Sequence, residues 1–209
     1  NLKKKILIIG GTGFIGYHLA KKCLKKKWLV SSFSTSKPKK FRSVNGVNYI
    51  EGDISKKRDL NRIKKNYNYV VNLGGHVDHT NKIKTLKSHF YGTKNLVKFF
   101  LKKKINVFIQ LGSGGEYGKI KSPHKEESYG NPKSPYALSK LKASNFLINY
   151  FKKKNFPVII LRLYQAYGPK QSINRLIPIT ISNCILDKTF PCTNGAQYRD
   201  FIFIDDVIS

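Results

Sequence analysis

The sequence predicts an α/β fold: a doubly wound parallel sheet followed by the beginning of a smaller C-terminal unit. Ile6-Leu-Ile-Ile9 is an unbroken aliphatic run rich in β-branched residues, as a central strand covered on both faces requires. It runs into Gly10-Gly11-Thr12-Gly13-Phe14-Ile15-Gly16, a glycine turn that opens a helix. Downstream, short apolar runs alternate with helical segments, a pattern that implies right-handed crossovers and a sheet with helices on both faces.

Taken in order, the helix from about Phe14 leads to a strand over Trp28 to Phe33 and a polar loop from Ser34 to Arg42. Asn48 to Glu51 reads as a short strand ending in Gly52-Asp53-Ile54, and Lys56 to Asn66 as a basic helix. Tyr69 to Leu73 is a strand ending in Gly74-Gly75, followed by a long helix from about Lys82 to Lys103. A strand from Val107 to Leu111, a helix from about Ser134 to Lys153 and a strand from Val158 to Leu163 complete the alternation. Phe14, Phe90, Phe99 and Phe100 fall at helical spacings and read as core. Residues 1–168 are therefore expected to form one domain, and 169–209, with a helix over Ser172 to Leu186 and a strand over Asp200 to Ile204, to begin another.

Composition bounds the function. A formal charge of +29 raises nucleic acid or an anionic surface as a partner. The lysines, however, are scattered in short helical runs (Lys3 to Lys5, Lys25 to Lys27, Lys102 to Lys104, Lys152 to Lys154) instead of gathering with arginine and aromatics on one face. No nucleic-acid partner is expected, and the excess resembles the compositional bias of an AT-rich genome. Cys23, Cys184 and Cys192 lack metal-ligand spacing and are odd in number, as suits reduced thiols in the cytoplasm. No apolar stretch approaches a membrane span and no secretory pattern opens the chain. The absence of methionine, even at position 1, and an end at Ser209 inside a motif suggest a piece of a longer protein.

The glycine turn suits a dinucleotide. Gly10, Gly13 and Gly16 permit the tight bend, the approach of a pyrophosphate and close packing of the helix that starts at Phe14 and Ile15. Leu73 and Gly74, at the end of another strand, border the same site. Sites for NAD place an acid at the end of the second strand; here Phe33-Ser34-Thr35-Ser36 has none, and Lys37, Lys39, Lys40 and Arg42 follow. Ser34 and Lys37 thus favour NADP(H), with NAD(H) possible, and Asp53 is better placed for the adenine edge.

Tyr136-Ala-Leu-Ser-Lys140 carries the chemistry. Residues at this spacing share a helical face, so phenol and ammonium point into the same space. A tyrosine becomes a base only where positive charge favours the phenolate, which Lys140 and an oxidised nicotinamide can supply. Ser113, in Gly112-Ser113-Gly114-Gly115-Glu116-Tyr117-Gly118 at a strand's C-terminal end, lies in the layer where open α/β sheets bind ligands. His76, Asp78 and His79 form a metal-like cluster that reads more simply as loop, and no metal is expected.

These motifs in this order resemble the extended short-chain dehydrogenase/reductases of the NAD-dependent epimerase/dehydratase family, with further matches at Tyr91-Gly92-Thr93-Lys94-Asn95-Leu96, Leu161 to Pro169 and Arg199 to Val207. The resemblance implies a Rossmann-like fold, catalytic roles for Ser113, Tyr136 and Lys140, and a nicotinamide ribose held by Lys140. It also implies Asp53 and Ile54 beside the adenine, Gly114, Gln165 and Arg199 on the substrate side, and a nucleotide-sugar substrate. His124, Glu126 and Glu127 would lie in a loop near the substrate, where one is a candidate second acid/base. Family members commonly dimerise through the helices at Lys82 to Lys103 and Ser134 to Lys153, so a homodimer is expected.

The departures narrow the reaction. Family 4,6-dehydratases carry an Asp-Glu pair where this chain has Gly114 and Gly115, which disfavours dehydration unless Glu116 swings in. A 4-keto-sugar reductase or a 4-epimerase of deoxysugar and O-antigen synthesis, resembling the CDP-abequose and paratose synthases, is expected; a 4,6-dehydratase or a non-catalytic relative are the alternatives. His89 and Gln165 stand where the family usually has Asn.

Overall fold

Apolar side chains on both faces of the first strand decide the architecture. In the computed structural model, which describes residues 3–76, 81–128 and 130–209, β1 (Lys5–Ile9) sends Leu7 and Ile9 into one core cluster and Ile6 and Ile8 into another. It lies within a six-stranded parallel sheet with β2 (Leu29–Ser34), β3 (Val47–Glu51), β4 (Tyr69–Asn72), β5 (Val107–Ser113) and β6 (Val158–Leu163). The order is β3-β2-β1-β4-β5-β6, with Ile8 of β1 between Ser32 of β2 and Val71 of β4. Ala20 and Cys23 of α1 (Phe14–Lys25) join the Ile6/Ile8 cluster. The Leu7/Ile9 cluster takes Leu96 and Phe100 from one helix and Leu147 from another, both described below.

Chain order reverses between β1 and β4, so their C-terminal ends diverge into a crevice, the usual ligand-binding place in such sheets. Asn72 closes its floor. The Asn72 amide donates to Gln110 Oε1 at 2.8 Å and Thr93 Oγ1 at 3.2 Å and accepts from Gly74 N–H at 3.1 Å, tying β4, β5 and the loop after β4 together.

Three expectations are corrected. The basic helix over Lys56 to Asn66 is instead a short 3₁₀ stretch, Lys57–Arg62: Asp59 turns inward to accept the Asp53 N–H at 2.9 Å, and the 3₁₀ stretch ends at Arg62 while Leu60 and Ile63 are buried in the core. The long helix is continuous but not uniformly α: α2 (Lys82–Thr85) passes into a π-helical turn (Leu86–Tyr91) and on into α3 (Gly92–Phe100), ending three residues before Lys103. Beyond α4 (Pro135–Lys154), a second sheet pairs β7 (Gln165–Tyr167) in parallel with β8 (Phe201–Phe203). Around it α5 (Leu176–Ile185) begins later than expected, and α6 (Ile204–Val207) starts where a strand was expected to end. Among the described residues no helix is long and apolar enough to cross a membrane.

Candidate active site

A cleft of about 1020 Å³ runs along the C-terminal edge of the sheet, bordered by the glycine turn, the Ser113 loop and the start of α4. Gly10 has φ +76, a conformation costly for any side chain, and a Cβ there would sit 3.0 Å from the Gly74 N. A Cβ on Gly16 would come 2.5 Å from Gly11 Cα, so α1 can approach the turn only because position 16 is bare. Gly13 caps α1 without a side-chain hydrogen bond, leaving first-turn N–H groups beside a cleft that Gly13, Phe14 and Ile15 line. This bare, donor-rich turn fits a dinucleotide pyrophosphate.

Ser134 caps α4 by accepting the Ala137 N–H at 3.2 Å, and Pro135 occupies the first turn, which fixes where the face bearing Tyr136 and Lys140 begins. The Tyr136 phenol is close enough to the Ser113 side chain to be influenced by it, and both line the cleft. Burial raises the phenol above its ordinary value of 10.0, the neighbouring Ser113 side chain opposes this, and the charge of Glu116 adds to it. Lys140 is buried at 3 % exposure, and its Nζ donates to the Leu111 carbonyl at 2.7 Å. Burial lowers its ammonium to about 8, against a smaller opposing pull from Glu116. The positive charge that acts on the phenol is that of Arg175, and burial outweighs it, so the Tyr136 phenol sits above its ordinary value.

Glu116 is fully enclosed, at 1 % exposure. Its Oε1 accepts the Ser113 N–H at 2.8 Å and its Oε2 meets Arg162 Nε at 3.2 Å. Ser113 Oγ in turn accepts the Gly115 N–H at 3.1 Å, completing a capping box over a 3₁₀ turn, Gly114–Tyr117. The carboxylate therefore holds the backbone of Ser113 and neutralises Arg162, and it is not directed into the cleft as a free acid.

His89, carried on the π-helical turn, lies edge-on to Tyr136 with ring centroids 5.1 Å apart. Its Nε2 bonds the His76 carbonyl at 2.9 Å; a carbonyl can only accept, so the ring proton is on Nε2. Nδ1 is a buried acceptor without a partner among the described residues, and burial, with Lys140 nearby, lowers the imidazole to about 3. A Cβ on Gly75 would come 1.9 Å from His89 Cε1, so the loop after β4 packs directly on this ring.

The remaining expected residues divide. Leu73, Gln165 and Arg199 line the cleft. Gly74 packs on Ile9, and Gly114 lies under the ring of Tyr164. Ile54 is buried, with its carbonyl accepting from Asn95 at 3.0 Å, and Asp53 Oδ1 accepts the Ser55 N–H at 2.8 Å; neither is among the residues lining the cleft. Ser34 is buried, with its hydroxyl 3.3 Å from Ser32 Oγ and 3.4 Å from Thr12 N, while Lys37 is exposed and outside the cleft lining. Of the proposed metal cluster, Asp78 and His79 lie outside the described residues, and His76 donates its N–H to Ser88. Arg42, Tyr164 and Arg175 line the cleft although only Arg42 was singled out from sequence; Tyr164 directly follows a strand end, a signal that was available.

Comparison with known proteins agrees with this geometry. The sequence model of the NAD dependent epimerase/dehydratase family matches residues 6–209. A dTDP-D-glucose 4,6-dehydratase of Dictyostelium discoideum is 30% identical, the match covering 99% of this chain and 54% of that protein. The human protein of that name is 26% identical over 98% of this chain and 63% of its own length, so the chain spans little more than half the length of these curated relatives. Among solved structures, the UDP-glucuronic acid 4-epimerase of Bacillus cereus with UDP-glucuronic acid and NAD superposes with a TM-score of 0.85 at 25% identity, covering 98% of this chain and 70% of that one. The UDP-glucose 4-epimerase of Thermotoga maritima, with UDP-glucose, superposes at 0.91 with 23% identity, covering 98% and 71%, and supports the fold.

Proposed function

Because the chain belongs to the NAD dependent epimerase/dehydratase family, we propose that its cleft transfers hydride at a single carbon, C4, of a nucleotide sugar, as a 4-keto-sugar reductase or a 4-epimerase. The observation that carries this reading is Glu116: tied to Ser113 and Arg162 behind two glycines, it leaves the position after Ser113 without a free carboxylate for removing water. When bound, a nicotinamide supplies or accepts the hydride. Ser113 orients the reacting oxygen, and Tyr136 exchanges a proton with it. A phenol held above its ordinary value is protonated at neutral pH and suits donation to the alkoxide that forms when a ketone is reduced. Lys140, with its ammonium at about 8, is charged at neutral pH and favours negative charge on neighbouring oxygens.

The glycine turn would hold the pyrophosphate, Lys140 the nicotinamide ribose, and Arg199 the sugar's diphosphate. On the adenosine side β2 ends at Ser34 without an acid, and Arg42 reaches the cleft rim with its guanidinium on the Lys170 carbonyl at 2.6 Å. Both favour the extra phosphate of NADPH, although the relatives solved with a cofactor carry NAD. Fluorescence titration is expected to give a lower Kd for NADPH than NADH, with Arg42→Ala narrowing the difference; tighter NADH binding would overturn the preference.

Residues 1–168 serve here as the cofactor domain and 169–209 as the start of the substrate domain. Exposed Ile83, Tyr91, Ile148 and Phe151 on α2, the π-helical turn and α4 support a homodimer built through these helices in the cytoplasm. The reaction is tested by mixing NADPH with CDP-, UDP- and dTDP-linked 4-keto sugars: a reductase consumes one NADPH per sugar, an epimerase interconverts hexoses without net oxidation. Release of water from a non-keto hexose would overturn both.

A further inference from the structure

Tyr164, the first residue past β6, lines the same cleft with its ring against Gly114. A Cβ on Gly114 would come 2.7 Å from the ring Cε1, so the missing side chain beside Ser113 is what admits this phenol. Its hydroxyl is hydrogen-bonded to Nδ1 of His124, forty positions away in sequence. Nε2 of His124 lies 3.1 Å from the Ile120 carbonyl, which can only accept; Nε2 therefore carries the ring proton and Nδ1 is the acceptor for Tyr164. The imidazole is held flat on Tyr117, with centroids 4.5 Å apart, and the Tyr117 hydroxyl is held by Arg162 Nη1 at 3.1 Å.

We propose that Tyr164 and His124 form a second proton-transfer pair, in which Tyr164 exchanges a proton with a sugar carbon adjacent to the reacting ketone. This rests on the reading of the cleft as a keto-sugar site. Tyr136 serves the oxygen, and a hydrogen on a carbon next to a ketone is the other acidic hydrogen such a sugar offers. The carbon–hydrogen bond breaks, and its electron pair spreads onto the ketone oxygen as an enolate. Tyr164 Oη takes the proton as its own passes to Nδ1 of His124, giving an imidazolium that keeps its Nε2–H on Ile120. Reversal returns a proton, after exchange with solvent, to the carbon. Burial and neighbouring Tyr117 and Asp200 raise the Tyr164 phenol above its ordinary value, so the His124 acceptor is what allows it to act as a base.

The test uses the full-length protein and UDP- and dTDP-linked 4-keto-6-deoxy-D-glucose in D₂O, with proton NMR following loss of the hydrogens flanking the ketone. The protein should accelerate the exchange, and Tyr164→Phe, which keeps the ring on Gly114, should slow it on the order of a hundredfold. His124→Gln should do the same, with cofactor binding unchanged in both variants. No acceleration by the wild type, or exchange at the wild-type rate in Tyr164→Phe, overturns the pair. Nitrogen-15 NMR of His124 without sugar reads the pair separately: a protonated Nε2 and an acceptor Nδ1 that responds to Tyr164→Phe are expected. A protonated Nδ1 indifferent to that substitution overturns the proposal. Exchange that persists where NADPH transfers no hydride would leave the pair standing and remove the reductase reading instead.

Discussion

Tyr136→Phe should lower turnover by roughly 10²- to 10⁴-fold, the usual contribution of a positioned acid or base, while leaving cofactor affinity intact. The substitution removes only the phenolic oxygen beside Ser113 and keeps the ring that meets His89 edge-on. Folding and dinucleotide binding should therefore survive. Steady-state rates at saturating sugar, beside a fluorescence titration of the cofactor, separate the two effects. Full activity in the variant would remove Tyr136 from the mechanism.

Glu116→Ala should destabilise the fold by about 3–5 kcal/mol, the cost of leaving one member of a buried ion pair without its partner. Arg162 has a side chain only 15% exposed and would lose the carboxylate 3.2 Å away, and the Ser113 N–H would lose its acceptor. Glu116→Gln, which retains an acceptor, should lose less. Urea unfolding measures both. A Glu116→Ala protein as stable as the wild type but inactive would mean that the carboxylate serves the chemistry, which would revive water elimination.

What could be read from the sequence follows the range of the interactions. β1, the glycine turn and the start of α4 are specified by neighbouring residues: an aliphatic run, glycines where a Cβ would strike the backbone, and Ser134 and Pro135 at a helix start. Ser113, Tyr136 and Lys140 were legible because they occupy strand ends and one helical face, and the structure brings them together at the cleft. The role of Glu116 was also within reach, since Ser113-Gly-Gly-Glu116 has the spacing of a capping box, yet it was read only as a candidate acid. The π-helical turn that delivers His89 leaves no trace in hydrophobic spacing, and the 57–62 segment, with Leu60 as its single apolar residue, does not separate helix from 3₁₀ turn. Lys37 is exposed and outside the cleft lining, and the contact of Arg42 with Lys170 and the pairing of Tyr164 with His124 were not legible because they join residues far apart in sequence.

The most direct measurement follows hydrogen itself: NADPH carrying deuterium on the transferring face of nicotinamide C4, a 4-keto sugar, the full-length protein, and NMR of the product. The account predicts deuterium at C4 of the sugar, the carbon that bore the ketone, and at no other carbon. Deuterium at C6, or none in the sugar while NADPH remains bound and unchanged, would contradict it.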